Sequence, residues 1–239
     1  MTGYARTVLG PEARAVCQEL PKLQLLQDFY LAGGTGLALQ IGHRHSVDLD
    51  FFLANPSGEL PSRVIMQRIQ RAFGQARARL AIRDAGQLSW MLDGVLVTFA
   101  AYPFALLHPL VPGSELSPVL GGFSLASPME IALMKAYALG RRATFRDYID
   151  LYYVLKLGIT SLSQIIEDAE RKFILDGEQL FSVKLFLEQL AYTADVEDRE
   201  TAVRLVRGQR LEAQEVEAYL QDAARAFIRQ KTGGEEDLP

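Results

Sequence analysis

The stretch that decides the fold runs Leu31-Ala-Gly-Gly-Thr-Gly-Leu-Ala-Leu-Gln-Ile-Gly-His-Arg-His-Ser-Val-Asp-Leu-Asp-Phe-Phe52. It is entered through Phe29-Tyr30-Leu31-Ala32, a short apolar run that ends in glycines and reads as a buried strand. Thr35 to Gln40 then has the make-up of a short helix, stopped by Gly42 at the position after its end. From Val47 to Leu53, aspartate alternates with Val, Leu and Phe, the period of a strand whose two faces differ in chemistry. Strand, glycine turn, helix and strand follow one another within 25 residues (29 to 53).

Asp48 and Asp50 stand two apart, so on a strand they share a face, roughly 6.5–7 Å apart along the chain. Two such carboxylates repel unless a cation lies between them. Oxygen ligands alone suit Mg²⁺, which is commonly held by one or two carboxylates plus substrate phosphates. Upstream, Gly33 and Gly34 let backbone N–H groups approach an anion, and a helix starting at Thr35 aims its positive end there. A Gly-Gly pair alone is usually a turn, and an Asp-x-Asp alone is usually a solvated strand. In this order and spacing they read as a phosphate cradle followed by a metal-carboxylate pair, the parts of nucleoside triphosphate chemistry.

Competing motifs fail on particular residues. A dinucleotide fingerprint needs a third Gly or Ala where Leu39 stands, and Asp48 comes too early for its ribose-binding acid. A Walker P-loop needs Gly-Lys-Ser/Thr, which the sequence lacks. His43-x-His45 has only His108 as a further histidine and no cysteine near it, so it reads as polar loop rather than a zinc site.

Outward from this stretch, residues 11–28 read as a helix that Pro21 interrupts. Pro61 to Phe73 starts a helix with Val64, Ile65, Ile69 and Phe73 on one stripe. Three strands are expected at 78–82, 87–92 and 95–100, with Asp93-Gly94 as the hairpin turn between the last two. Residues 102–118 are proline-rich and read as a crossing loop. Beyond Ser127, a capped start with Pro128 first in the helix, helices are expected at about 128–140, 144–157, 161–173, 178–192 and 212–230. The tail from Gly233 to Asp237 reads as polar and frayed. The chain thus divides into an α/β part and a mostly helical part.

Composition sets the outer limits. In 239 residues, 49% hydrophobic and 23% charged is globular and excludes disordered or collagen-like chains. One cysteine, Cys17, rules out an intrachain disulfide. A formal net charge of −4 argues against a partner bound through global positive charge. No run approaches the roughly 18 apolar residues of a membrane span, and the first residues lack the apolar core of a signal peptide. The expectation is a cytoplasmic protein of bacterial type.

The quoted stretch resembles the first motif of the AbiEii-type nucleotidyltransferases, members of the polymerase-beta-like superfamily that include toxins of type IV toxin–antitoxin systems. The superfamily pattern of Gly-Gly or Gly-Ser, a spacer, then Asp-x-Asp is matched by Gly33, Gly34, Asp48 and Asp50, and the basic–Ser pair before it by Arg44 and Ser46. Residues 134–153, with Lys135 and Arg146-Asp147-Tyr-Ile-Asp150-Leu-Tyr, are similar to the family's downstream segment. The resemblance covers about residues 25–155. It implies an α+β fold: a polymerase-beta-like mixed sheet flanked by helices (residues 1–125), then a mostly helical C-terminal domain (126–239) contributing to the active-site cleft. It also implies Mg²⁺ or Mn²⁺ on Asp48 and Asp50, and an NTP held by Gly33, Gly34, Thr35, Arg44, Ser46, Lys135 and Arg146. Lys135 would meet nucleotide phosphates, and Asp147 or Asp150 would complete the site, Asp147 being preferred; Arg142 belongs to the same segment. The plain alternative for Arg146 and Asp150 is an i,i+4 pair on a helix surface.

One departure stands out. Many superfamily members carry a third carboxylate on a later strand, and here Val95–Ala100 has Thr98 at the expected place. The resemblance therefore implies a nucleotidyltransferase moving a nucleoside monophosphate to an RNA or tRNA end or to a protein, with a cognate antitoxin as partner. The alternatives are an NTP-binding regulatory module without chemistry, or an antibiotic-modifying enzyme. Arg68, Arg71, Arg77, Arg79 and Arg83 would suit RNA phosphates, although a solvated face is the commoner meaning of such a cluster.

Overall fold

The computed structural model describes residues 4–141, 144–193, 196–208 and 210–232. Arg142 and the 233–237 tail lie outside the described residues. The helices are α1 (Ala5–Val8), α2 (Pro11–Glu19), α3 (Gly33–Ile41), α4 (Ser62–Arg77), α5 (Gly113–Leu116), α6 (Pro128–Leu139), α7 (Phe145–Lys156), α8 (Leu162–Lys172), α9 (Val183–Ala191), α10 (Arg199–Val203) and α11 (Ala213–Thr232). The strands are β1 (Phe29–Leu31), β2 (Leu49–Leu53), β3 (Ala78–Arg83), β4 (Gln87–Leu92), β5 (Val95–Ala100), β6 (Val111–Pro112), β7 (Ser124–Leu125), β8 (Ile174–Leu175) and β9 (Glu178–Gln179). The chain forms two compact units, Met1–Ile131 and Ala132–Pro239.

The first unit is built on a seven-stranded mixed sheet in the order β3-β4-β5-β2-β1-β7-β6. β2 runs parallel to β5 and β1 parallel to β7, and the remaining pairs are antiparallel. Asp93 and Gly94 both take positive φ (47° and 84°), as a two-residue hairpin twisted to match its strands requires. Leu49, Phe51, Leu88, Trp90, Val97 and Phe99 are buried in one core with Val16 and Cys17 of α2 and Ile65, Ile69 and Phe73 of α4. These apolar positions give the sheet one helix-covered face, so the intervening residues, Asp50 and Thr98 among them, project to the other. Burial pushes the Cys17 thiol up to about 12, which makes it a core residue rather than a nucleophile.

Local differences from the sequence reading have plain causes. Pro21 ends α2 early, and the chain continues in short 3₁₀ turns at 20–23 and 26–28. Val64 is exposed: Ile65, Ile69 and Phe73, four apart, make the buried stripe, and Val64 lies about 100° around the helix from its nearest member. α9 begins at Val183 rather than 178, because Asp176 and Gly177 (φ 52° and 82°) turn the chain into the β8–β9 hairpin first. Ser182 then caps the helix, accepting from the Leu185 N–H at 3.2 Å.

The second unit is helical apart from that hairpin. α7 is its central element, buried along most of its length and packed against α10 and α11. The N–H of Phe145, at the start of α7, donates to Asp198 Oδ1 at 2.7 Å, so a long-range carboxylate satisfies this helix end. Among the described residues no helix is long and apolar enough to cross a membrane.

Candidate active site

The glycine turn opens directly into α3. Gly33 has φ +61°, a conformation that side chains disfavour, and a β-carbon there would lie 2.5 Å from Asp50 Oδ2. The Asp50 carboxylate therefore occupies the space a larger residue would take. A β-carbon at Gly34 would overlap the Arg44 guanidinium, with Cζ only 2.9 Å away. Both glycines are required by what packs on them: an acid on the first and a base on the second.

A buried hydrogen-bond set holds this turn to the strand that follows. Thr35 is 1% exposed, and its hydroxyl binds Ser46 Oγ at 2.7 Å and the Asp48 carbonyl. Arg44, 3% exposed, donates from Nη1 to the His45 carbonyl at 3.1 Å and reaches Ser46 Oγ at 3.5 Å. Ala32 N–H donates to the Asp50 carbonyl at 2.9 Å, pinning the glycine turn to the first residues of β2. Thr35 and Ser46 thus act here as a brace between α3 and the Asp48–Asp50 segment. His43 is buried and His45 exposed, so the two do not present one surface.

Arg44 adds positive charge to the first turn of α3, where the helix already presents its positive end. A helix start with a basic side chain beside it is a place where anions are favoured. Asp48 and Asp50 are both half-buried, able to meet a ligand from the open face. The group the resemblance implies, a divalent cation, fits this donor set. The space at Gly33 leaves room for the Asp50 carboxylate beside backbone N–H groups that can carry phosphates, and the oxygen ligands are those of Mg²⁺. Among the described residues no cluster of three His, Cys, Asp or Glu side chains could hold a metal. Two carboxylates leave the remaining coordination to phosphate and water, the usual habit of Mg²⁺.

On the same sheet face, Asp50 pairs in register with Thr98 of β5, and Thr98 with Ser89 of β4. Ser89 is fully buried and 3.1 Å from the Thr98 hydroxyl, while Gln87 Nε2 donates to Ser89 Oγ at 2.9 Å. The sequence reading missed Ser89 and Gln87, although their alternation with Leu88 and Trp90 places them on the face of Asp50. On the neighbouring strand, burial and then the charge of Glu130 push the Tyr30 phenol above its ordinary value, keeping it neutral.

In the helical unit, Lys135 of α6 lies between two acids of α7. Its Nζ binds Asp147 Oδ1 and lies 2.9 Å from Asp150 Oδ2, with the three side chains 12%, 6% and 0% exposed. Thr144 Oγ1 donates to the other Asp147 oxygen at 3.0 Å. Asp150 is therefore a buried acid engaged by Lys135 rather than a residue of the helix surface. Asp147 and Asp150 are i,i+3 neighbours and share the buried face of α7 that meets Lys135, and Arg146, four residues before Asp150, is half-buried. The arginine cluster also divides. Arg68 donates to the Leu23 and Gln24 carbonyls, and Arg77 pairs with Asp93 and Glu19, which leaves Arg71, Arg79 and Arg83 on the surface.

Replacing Gly34 with alanine should push the Arg44 guanidinium off the turn. NTP affinity is expected to fall at least about tenfold, the loss of one charge-assisted contact. Calorimetry with NTP and Mg²⁺ reads this directly, and unchanged affinity would separate Arg44 from nucleotide binding.

Comparison with known proteins places these residues in context. Residues 14–101 match the family model described as "Nucleotidyl transferase AbiEii toxin, Type IV TA system". An uncharacterized protein of Aquifex aeolicus (strain VF5) is 30% identical over 165 residues, 69% of this chain and 76% of that protein. Among solved structures, the nucleotidyltransferase toxin MenT4 of Mycobacterium tuberculosis H37Rv aligns with a TM-score of 0.56 at 16% identity, covering 96% of this chain and 87% of that one. A candidate nucleotidyltransferase of H. pylori aligns with a TM-score of 0.51 at 16% identity, covering 95% and 99%. At such identities the two structures speak for the fold, a mixed sheet flanked by helices.

Proposed function

The chain belongs to the AbiEii family of nucleotidyl transferase toxins, and from that premise we propose that it moves a nucleoside monophosphate from an NTP to an acceptor hydroxyl. The observation that carries this reading is the acid–base pair packed on the two glycines, Asp50 on Gly33 and Arg44 on Gly34. Asp48 and Asp50 hold Mg²⁺ in this proposal. When bound, the cation supplies positive charge that aligns the α-phosphate and offsets charge on the departing pyrophosphate. The backbone N–H groups of Gly33 and Gly34 and the Arg44 guanidinium bind phosphate oxygens, and Thr35 and Ser46 keep that turn in place. The acceptor oxygen forms a bond to the α-phosphorus in line with the breaking bond to the β-phosphate oxygen. Pyrophosphate leaves with the bonding electron pair, and the acceptor's proton passes to solvent.

Lys135 and Asp147 are assigned catalytic roles, and Lys135 and Arg146 nucleotide binding, on the family resemblance. A cognate antitoxin is the proposed protein partner, and RNA ends or protein side chains are the acceptor classes. Incubation with each labelled NTP, Mg²⁺ and total RNA or protein tests the reading, with label transfer as the expected result. Folded protein that transfers no label to any acceptor or to itself would sink it. The second reading, an NTP-binding module without chemistry, is favoured by one observation: Thr98, not an acid, stands beside Asp50. Binding of NTP with Mg²⁺ and no turnover would select it.

A further inference from the structure

We propose that the Thr98 hydroxyl is a hydrogen-bond donor to a non-bridging oxygen of the transferring α-phosphoryl group, set in that direction by Ser89 and Gln87. The inference rests on the nucleotidyl-transfer reading and deepens it.

The direction follows from counting protons. The Gln87 Nε2 amide can only donate, so Ser89 Oγ accepts from it at 2.9 Å. Ser89 is 0% exposed, so its own proton needs an acceptor inside the protein. Among the described residues the remaining partner of that hydroxyl is Thr98 Oγ1, 3.1 Å away. Ser89 therefore donates to Thr98. A threonine hydroxyl carries one proton, and having accepted from Ser89 it is left to donate onward.

The place it donates into is the neighbourhood of Asp50. Thr98 and Asp50 are register partners on adjacent parallel strands, about 4.8 Å apart in the sheet. Leu49 and Val97, the preceding register pair, are fully buried on the helix-covered side, so Asp50 and Thr98 share the open side. Thr98 is half-buried, open enough to meet a ligand. A polarised O–H beside the proposed metal-holding carboxylate calls for an acceptor atom, and a charged phosphoryl oxygen brought there by the substrate makes a strong charge-assisted bond.

A hydroxyl donor keeps its proton throughout, so Thr98 does not take the proton of the attacking group. Its part is to fix the α-phosphoryl orientation for in-line attack. The bulk of the triphosphate charge is met at the glycine turn by Arg44 and the backbone N–H groups. Loss of this one neutral donor should therefore cost turnover rather than affinity.

The test compares wild type, Thr98→Val and Thr98→Ser in labelled-NTP transfer, with calorimetry of a non-transferable NTP analogue plus Mg²⁺ and thermal unfolding of each. Valine keeps the shape and removes the donor; its kcat should fall roughly a hundredfold. KM and analogue affinity should stay near wild type. Serine keeps the donor and should restore kcat, with all three proteins folded. Wild-type turnover in Thr98→Val overturns the proposal and leaves the nucleotidyl-transfer reading standing. Equal losses in the valine and serine variants also overturn it, because packing alone would then explain them. If the folded wild type neither transfers label nor binds the analogue, the nucleotidyl-transfer reading has failed, and this inference with it.

Discussion

Replacing Asp50 with asparagine is expected to lower label transfer by about a thousandfold, the several kcal/mol that a bound cation supplies in a transition state. The substitution keeps the shape of the side chain, so the close fit against Gly33 survives and the thermal midpoint should barely move. What disappears is a negative charge where the proposed mechanism gathers a cation. In its place the amide presents N–H donors that repel one. Asp48→Ala should act in the same direction, because both carboxylates stand at the head of β2. The check is transfer from labelled NTP measured beside thermal unfolding. Near-wild-type transfer by Asp50→Asn would remove this carboxylate from the mechanism, whatever the fold.

Removing the ammonium of Lys135 should have the largest effect on stability. Asp147 and Asp150 are 6% and 0% exposed and are both engaged by it. Taken away, it leaves two buried carboxylates without the ammonium that engages both. Breaking a buried ion cluster from one side costs about 3–5 kcal/mol, of the order of a large share of a domain's total stability. Lys135→Ala should therefore shift the urea midpoint strongly at pH 7 with little change in slope. A second substitution, Asp150→Asn, removes one of the stranded charges and should recover part of the loss. A midpoint within experimental error of wild type would mean that water or another cation already balances these acids.

Much of the first unit was legible because its signals are local. Asp93-Gly94 announces a hairpin because few dipeptides tolerate two successive positive φ values. The alternation of Asp with Leu and Phe in β2 assigns opposite faces regardless of what lies beyond them. Asp176-Gly177 carried the same signal and was overridden by a run of helix-forming residues, which placed the start of α9 five residues early. Val64 falls outside the core because packing admits only the residues of the helical stripe that meet the sheet.

The candidate site was legible in kind and not in arrangement. Gly33, Gly34, Asp48 and Asp50 carry the family resemblance by order and spacing, and residues 14–101 match the AbiEii family model. Nothing in the order of residues says that Thr35 and Ser46 are buried against each other, or that the Arg44 guanidinium packs on Gly34. The arginine cluster divides in the same way: of five arginines between 68 and 83, two are already held by carbonyls or carboxylates.

By itself, then, the sequence determined the family, the main strands and helices in their order, and the two short stretches that hold its unusual residues; the short elements β6, α5, β7, β8, β9 and α10 came only with the structure. What the sequence determined follows from local backbone preference and from residue types that few other contexts require. The tertiary structure decided which of these residues meet. Register between β2 and β5 put Thr98 beside Asp50, and the buried face of α7 put Asp147 and Asp150 together on Lys135. Such pairings are set by strand register and helix packing over long sequence separations, where a shift of one residue turns a side chain to the opposite face.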